Sequence, residues 1–337
     1  MAGLVPGSAT GPRSFLRNTY PMVEPLGKEY CADAGGGQAA QVNGMIFGIQ
    51  HFSIHDGPGI RTTVFMKGCP LRCLWCHNPE GMDRRPVLSF TPGKCVGCGQ
   101  CFRICPKVHQ MADGQHGIDR SQCDACGKCA RECCGKALEI VGRETSAAEV
   151  VAEVLRDESY YQTSGGGITL SGGEPLAQVE FARALLKLSK DAGLHCALET
   201  NGCAPYDSLE PLLPLIDLIL FDYKETDPEK HRLYTGQRNE FILERLRSLH
   251  DAGARIVLRC PIIPGLNDRE DHFAAIAQMT RELGNLVGAQ IMPYHRLGGA
   301  KAARMGLEPQ HEYEQPEEST IRQWKRSIRG HGGRLAD

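Results

Sequence analysis

Cys69-Pro70-Leu71-Arg72-Cys73-Leu74-Trp75-Cys76 sets three thiols in a CX3CX2C spacing, with an aromatic ring before the last. Three thiolates are one short of the four ligands that hold a structural zinc ion or an electron-carrying four-iron cluster. A cubane held by three cysteines keeps one iron open to a small molecule. His77 offers a zinc knuckle a fourth ligand, but it directly follows Cys76, whereas zinc ligands are normally separated by at least two residues. The run follows a strand-like stretch at residues 62–67, whose Val64, Phe65 and Met66 suit a parallel sheet buried on both faces. In parallel α/β folds reactive groups gather at the carboxyl ends of strands, so the loop stands where an active site belongs.

The flanks narrow the reading. Asp56-Gly57-Pro58-Gly59-Ile60-Arg61 precedes the run and Cys76-His77-Asn78-Pro79-Glu80 closes it. Together these segments resemble the activating enzymes of glycyl radical enzymes, within the radical S-adenosylmethionine superfamily. The resemblance runs from about residue 45 to the C-terminus. Taken alone, Asp56-Gly57-Pro58-Gly59 is also an ordinary turn composition; the resemblance implies a loop facing the partner's glycine-bearing segment, with Asp56 positioning that segment.

Outward from this centre, 337 residues suffice for one large α/β domain and an insert. Lys+Arg 38 against Asp+Glu 40 leaves a formal charge of −2, so no basic excess points to nucleic acid or an anionic membrane. No apolar run approaches the roughly 20 residues of a bilayer span, and the N-terminus lacks a signal-peptide core. A cytoplasmic location is expected. Eleven of the 16 cysteines fall in three CXXC-bearing runs, which favours metal over a disulfide scaffold in a chain of this size. Thiolate clusters imply a reducing, anaerobic setting.

Residues 1–44, rich in Gly, Ala, Pro and Ser, read as a flexible extension in which Cys31 is a spare thiol. Strands are expected at 45–52 and 62–67, then at 168–171, 195–199, 218–222, 256–260 and 289–292, with helices at 147–160, 178–192, 240–252 and 269–283. The fold class is α/β. Its expected form, which the resemblance shares, is an incomplete (β/α)6 barrel over 45–85 and 143–337. The insert at 86–142 carries Cys95, Cys98, Cys101 and Cys105, followed by Pro106, in the bacterial ferredoxin spacing CX2CX2CX3CP, and Cys123, Cys126, Cys129 and Cys133 repeat it. In such two-cluster ferredoxins the fourth cysteine of each run ligates the other run's cluster. That pairs Cys95, Cys98 and Cys101 with Cys133, and Cys123, Cys126 and Cys129 with Cys105. Cys134 stands where proline is expected, so Cys133 and Cys134 both remain candidates. Two zinc sites are the alternative, although four-cysteine zinc sites usually come as two separated pairs.

The resemblance also assigns strand-end residues to the cosubstrate. Gly172, Gly173 and Glu174 match the glycine-rich element near the methionine amine; Glu199, Thr200, Asp222, Tyr223 and Lys224 match contacts to its polar end, with a monovalent cation among Glu199, Thr200 and Asp222. Arg259 matches a carboxylate-side contact and His295 an adenosine-side one, with Trp75, Cys76 and His77 alongside. On residue type alone, Lys224 is equally a solvated lysine, and Trp75 and His295 are equally structural. The implied activity is reductive cleavage of S-adenosylmethionine to methionine and a 5′-deoxyadenosyl radical that takes hydrogen from a partner's glycine. The implied cofactors are three 4Fe-4S clusters, and electrons would come from reduced flavodoxin or ferredoxin to a monomer. A radical maturase of peptides or small molecules, or an iron-sulfur electron carrier, are the rival readings. The client serves as a diol, choline, sulfonate or aryl-compound lyase or decarboxylase.

Overall fold

The computed structural model describes residues 36–112, 115–307 and 313–336. Its strands in chain order are β1 (Asn43–Ser53), β2 (Arg61–Met66), β3 (Val87–Phe90), β4 (His109–Ala112), β5 (Gln115–Ile118), β6 (Leu138–Val141), β7 (Arg143–Ser146), β8 (Gly167–Gly172), β9 (His195–Thr200), β10 (Leu218–Asp222), β11 (Ile256–Ile262) and β12 (Leu286–Pro293). Eight of them form one sheet in the order β12-β11-β10-β9-β8-β2-β1-β7. β2 and β8 through β12 are parallel and adjacent in the order they occur in the chain. β1 and β7 close one edge antiparallel. Leu218, Ile219, Leu220 and Phe221 are all buried, as expected of a parallel strand covered on both faces.

The helices cover the sheet with apolar stripes. Helix Val179–Asp191 buries Phe181, Ala182, Leu185, Leu186 and Ser189, a helical period that turns one face onto the sheet. Helix Ala147–Val154 starts at a capping box: Glu149 N–H donates to Ser146 Oγ at 3.3 Å and Ser146 N–H to Glu149 Oε2 at 2.9 Å, an arrangement worth about 1 kcal/mol. The single helix expected over 147–160 breaks into a 3₁₀ turn at Leu155–Asp157 before a second helix, Glu158–Ser164. The turn directs Asp157 inward, where it accepts hydrogen bonds from Thr62 Oγ1 at 2.8 Å and His51 Nδ1 at 2.6 Å.

Most of the expected extension, including Cys31, lies outside the described residues. Its last part belongs to the fold: a short helix Gly36–Ala39 precedes β1, Ala39 is buried, and β1 begins at Asn43. The insert returns on itself, because β3 pairs antiparallel with β6 and β4 with β5. Leu88, Val108, Cys129 and Leu138 form its own small core.

Candidate active site

The parallel register decides which side chains meet. Leu220 of β10 lies beside Glu199 of β9, Asp222 beside Arg259 of β11, and Arg259 beside Gln290 of β12. Neighbouring carboxyl ends therefore hold two acids and an arginine. Arg259, nearly fully buried, donates through Nη1 to Glu199 Oε1 at 2.6 Å, through Nη2 to the His55 carbonyl at 2.6 Å, and through Nε to Gln290 Oε1 at 3.2 Å. Its Nη2 also lies 3.4 Å from Asp56 Oδ1. Asp56 accepts from Ser53 Oγ at 2.5 Å and Thr63 Oγ1 at 2.8 Å. The guanidinium thus ties the 56–61 loop to the strand ends.

The same loop is pinned from the other side by Arg61, which is fully buried. Its Nε donates to Thr169 Oγ1 at 2.7 Å, and its terminal nitrogens donate to the carbonyls of Pro58 and His195, both at 3.1 Å, and of Ile168. Burial lowers its pKa to about 10, so it remains protonated at neutral pH.

The cysteine loop is braced by a helix that the sequence reading missed, Pro228–Thr235. Arg72 N–H donates to the Thr235 carbonyl at 2.7 Å and Leu74 N–H to the Tyr234 carbonyl at 2.9 Å. Asp227 caps that helix by accepting from Lys230 N–H at 2.9 Å, followed by Pro228; Asp-Pro is the local signal that marks its start. Trp75 is buried with Leu71, Cys73, Ile263 and Tyr294. A second missed helix, Leu297–Arg304, lies against Cys76: a Cβ on Gly298 would stand 2.1 Å from the Cys76 carbonyl oxygen.

Glu174 links β8 to β9. It accepts from Leu176 N–H at 3.1 Å, Asn201 N–H at 2.8 Å and Thr200 Oγ1 at 2.9 Å. Burial nevertheless pushes its pKa up to about 7. Asn201 Nδ2 in turn lies 3.6 Å from Cys69 Sγ. Lys224 Nζ donates to Asp222 Oδ2 at 2.8 Å; burial works against its charge, but Asp222 and Cys73 outweigh that and raise its pKa.

Three of the expected positions have close neighbours of their own. Tyr223 turns away from this edge into the main core, where its ring stacks on His272 with centroids 5.6 Å apart; it follows Asp222, and successive side chains on extended backbone face opposite ways. Of the three residues expected at a cation, Thr200 Oγ1 faces Glu174, Glu199 pairs with Arg259 and Asp222 pairs with Lys224. The bare backbone of Gly172 and Gly173 meets other backbone: a Cβ on Gly172 would stand 2.4 Å from Met66, and one on Gly173 would stand 2.4 Å from the Gly68 oxygen.

The model of the Radical SAM superfamily matches residues 63–277. The chain belongs to this superfamily. Isethionate sulfite-lyase activating enzyme of Oleidesulfovibrio alaskensis is 45% identical over 77% of this chain and 86% of its own length. Indoleacetate decarboxylase activating enzyme of Tractidigestivibacter scatoligenes is 41% identical over 79% and 88%. Benzylsuccinate synthase activating enzyme of Thauera aromatica is 38% identical over 80% and 84%. The chain is a radical SAM enzyme of the activating-enzyme kind.

The donor set of this radical SAM enzyme suits a cluster better than a single ion. One tetrahedral zinc needs its sulfurs about 3.8 Å apart. Among the described residues, the group of three whose ligand atoms all lie within 4.8 Å of one another is Cys101, His109 and His116, so the thiols of Cys69, Cys73 and Cys76 are not all gathered that closely. Burial and mutual repulsion push Cys69 well up and Cys76 to about 12, so these thiols ionise only against a metal charge. Beside them His77 and His295 stack with centroids 3.8 Å apart. His77 Nε2 and His295 Nδ1 are buried without a partner among the described residues.

In the insert, a cavity of about 660 Å³ is lined by Cys95, Cys98, Cys101 and Cys133 together with Phe90 and His116. Cys133 Sγ accepts from Ala137 N–H at 3.3 Å, while Cys134 is exposed with its sulfur 3.7 Å from Cys98 Sγ. Burial raises Cys129 to about 11, with Cys105 and Cys123 adding to the rise, which sets these three thiols close to each other.

Proposed function

We propose that this enzyme activates a glycyl radical enzyme, with the cysteine loop, the anchored 56–61 segment and the His77–His295 pair as one site. Cys69, Cys73 and Cys76 would hold a four-iron cluster with one open iron, which would supply the electron for splitting S-adenosylmethionine to the hydrogen-abstracting 5′-deoxyadenosyl radical. The residues around it orient and exclude water. Lys224 and Asn201 face the sulfurs with positive charge and an N–H donor; Trp75 walls the pocket, and His77 and His295 present nitrogens to the adenosine. Glu199 and Arg259 hold Asp56 at the mouth, where the partner's peptide enters.

The six sequential parallel strands support an incomplete (β/α)6 barrel as the frame. The insert over 86–142 is a ferredoxin-like module, and its cysteine-framed cavity supports two further clusters, three in all, filled from reduced flavodoxin or ferredoxin. That cavity includes Cys133 and not Cys134, which favours Cys133 as the ligand. The enzyme acts as a monomer in a reducing cytoplasm; among the described residues no helix is long and apolar enough to cross a membrane. The client is a carbon–sulfur-cleaving lyase of the isethionate type, the reading that the 45% identical relative supports.

The observation that carries the proposal is the buried Arg259 guanidinium, which joins Glu199 near the carboxyl end of β9 to Asp56 of the 56–61 loop. Reduced protein, S-adenosylmethionine and the candidate lyase, mixed without oxygen, should give a carbon-centred doublet in electron paramagnetic resonance. Deuterium at the lyase's glycine α-carbon should move into 5′-deoxyadenosine. Deuterium that stays in the protein while a free small molecule loses hydrogen rejects the proposal in favour of a maturase.

A further inference from the structure

The insert's β4–β5 hairpin carries two histidines that none of the expected roles uses. His116 Nε2 lies 3.9 Å from Cys101 Sγ and 2.9 Å from His109 Nδ1. The ring is held between Phe90 and Phe102, with centroids at 4.5 and 4.8 Å. His109 is buried, and the 2.9 Å contact between its Nδ1 and His116 Nε2 needs one nitrogen to donate and the other to accept, as two neutral imidazoles do. His109 Nε2 and His116 Nδ1 have no partner among the described residues. Nothing similar attends the second cysteine run, since residues 120–137 contain no histidine.

A neutral imidazole has one donor nitrogen and one acceptor, and a cluster-bound thiolate only accepts. With Cys101 as a thiolate, the proton of His116 belongs on Nε2, pointing at sulfur. His109 Nδ1 is then an acceptor sharing that proton, and the proton of His109 sits on Nε2. A tautomer with the His116 lone pair on Nε2 would set lone pair against thiolate. An N–H aimed at a cluster sulfur draws electron density from the irons and stabilises the reduced state, which raises the potential.

We propose that His116 donates to the Cys101 thiolate, with His109 as the positioning residue, and so sets the cluster of Cys95, Cys98, Cys101 and Cys133 at a higher potential than its neighbour in the insert. This rests on the two-cluster reading of the insert. Cys95 and Cys98 are exposed, so the tuned cluster lies open to an external donor.

The test uses the full chain, reconstituted anaerobically, as wild type, His116→Leu and His116→Gln. Iron and zinc are measured first, and each cluster's midpoint is then read by stepwise reduction with electron paramagnetic resonance. Added S-adenosylmethionine shifts only the open-iron signal and so marks the radical cluster. In His116→Leu the iron content should hold while one insert cluster becomes about tenfold harder to reduce at fixed potential, which for one electron is about 59 mV. His116→Gln keeps a donor and should recover most of that shift. Midpoints that coincide in all three proteins overturn the proposal. So does loss of about four irons in His116→Leu, since that makes His116 a ligand and not a donor. Zinc in place of iron in the wild-type insert would instead reject the two-cluster reading itself.

Discussion

Replacing Arg61 tests whether the 56–61 loop is held as described. In Arg61→Leu the Pro58, His195 and Ile168 carbonyls and Thr169 Oγ1 all lose a donor. Each buried acceptor left unmet costs about 1–3 kcal/mol. The four together, less what water recovers at the partly exposed Pro58 end and what sheet N–H groups still give the strand carbonyls, come to about 3–5 kcal/mol, the range for breaking a buried charged contact. That is a large part of the 5–15 kcal/mol, roughly, that separates folded from unfolded domains. Arg61→Lys keeps the charge but reaches fewer of these acceptors, and should lose about half as much. The assay is urea unfolding of the reconstituted protein under anaerobic conditions, followed by far-ultraviolet circular dichroism. The lysine variant, which still folds, should also lose glycyl radical yield more than it loses 5′-deoxyadenosine formation, because the loop is proposed to meet the partner and not the cosubstrate. A loss below about 1 kcal/mol in Arg61→Leu, outside the range for unmet buried acceptors, would refute the reasoning, as would equal losses of both activities in Arg61→Lys.

Gly298→Ala should push helix Leu297–Arg304 off the cysteine loop, because its Cβ would stand 2.1 Å from the Cys76 oxygen; overpacking of this kind costs about 1–3 kcal/mol, read as a lower Tm. Cys73→Ala should abolish 5′-deoxyadenosine formation while leaving the insert's iron in place, and unchanged turnover would remove the cysteine loop from the chemistry. Glu174 holds its proton more tightly when folded, at about 7 against 4.5. Its contribution to stability is therefore complete below pH 4.5 and falls as pH rises through 7, by about 3 kcal/mol in all. Stability measured from pH 4.5 to 8 should fall less steeply in Glu174→Gln than in wild type, and parallel curves would contradict the assignment.

The parallel strands and the cysteine runs were legible because their signals are local: short apolar runs ending in polar residues, and thiols at fixed spacing. The β1–β7 pairing was not, since Met45 meets Glu144 across the whole insert and four polar residues of Arg143-Glu144-Thr145-Ser146 carry no strand pattern of their own. Helix Glu318–Gly330 escaped for a similar reason, because only Trp324 and Ile328 of its residues are buried. At the site, sequence position alone could place Arg259 and Glu199 at the strand ends but not show that they satisfy each other. Nor could it show that Asp56 would share the same guanidinium, which depends on two chain segments about two hundred residues apart, as their numbering gives. The histidine pair beside Cys101 carried a weak signal, two histidines flanking a short hairpin, with no spacing rule to raise it.

The pairing of β3 with β6 has a consequence for ancestry. The insert leaves the parent fold just after the cysteine loop and re-enters at β7, and its two ends are hydrogen-bonded neighbours, Val87 beside Val141. A module whose entry and exit meet can be gained or shed by splicing, with the host sheet keeping its strand order and its register. Lineages of such enzymes could therefore exchange the whole module while leaving the host sheet beside it untouched.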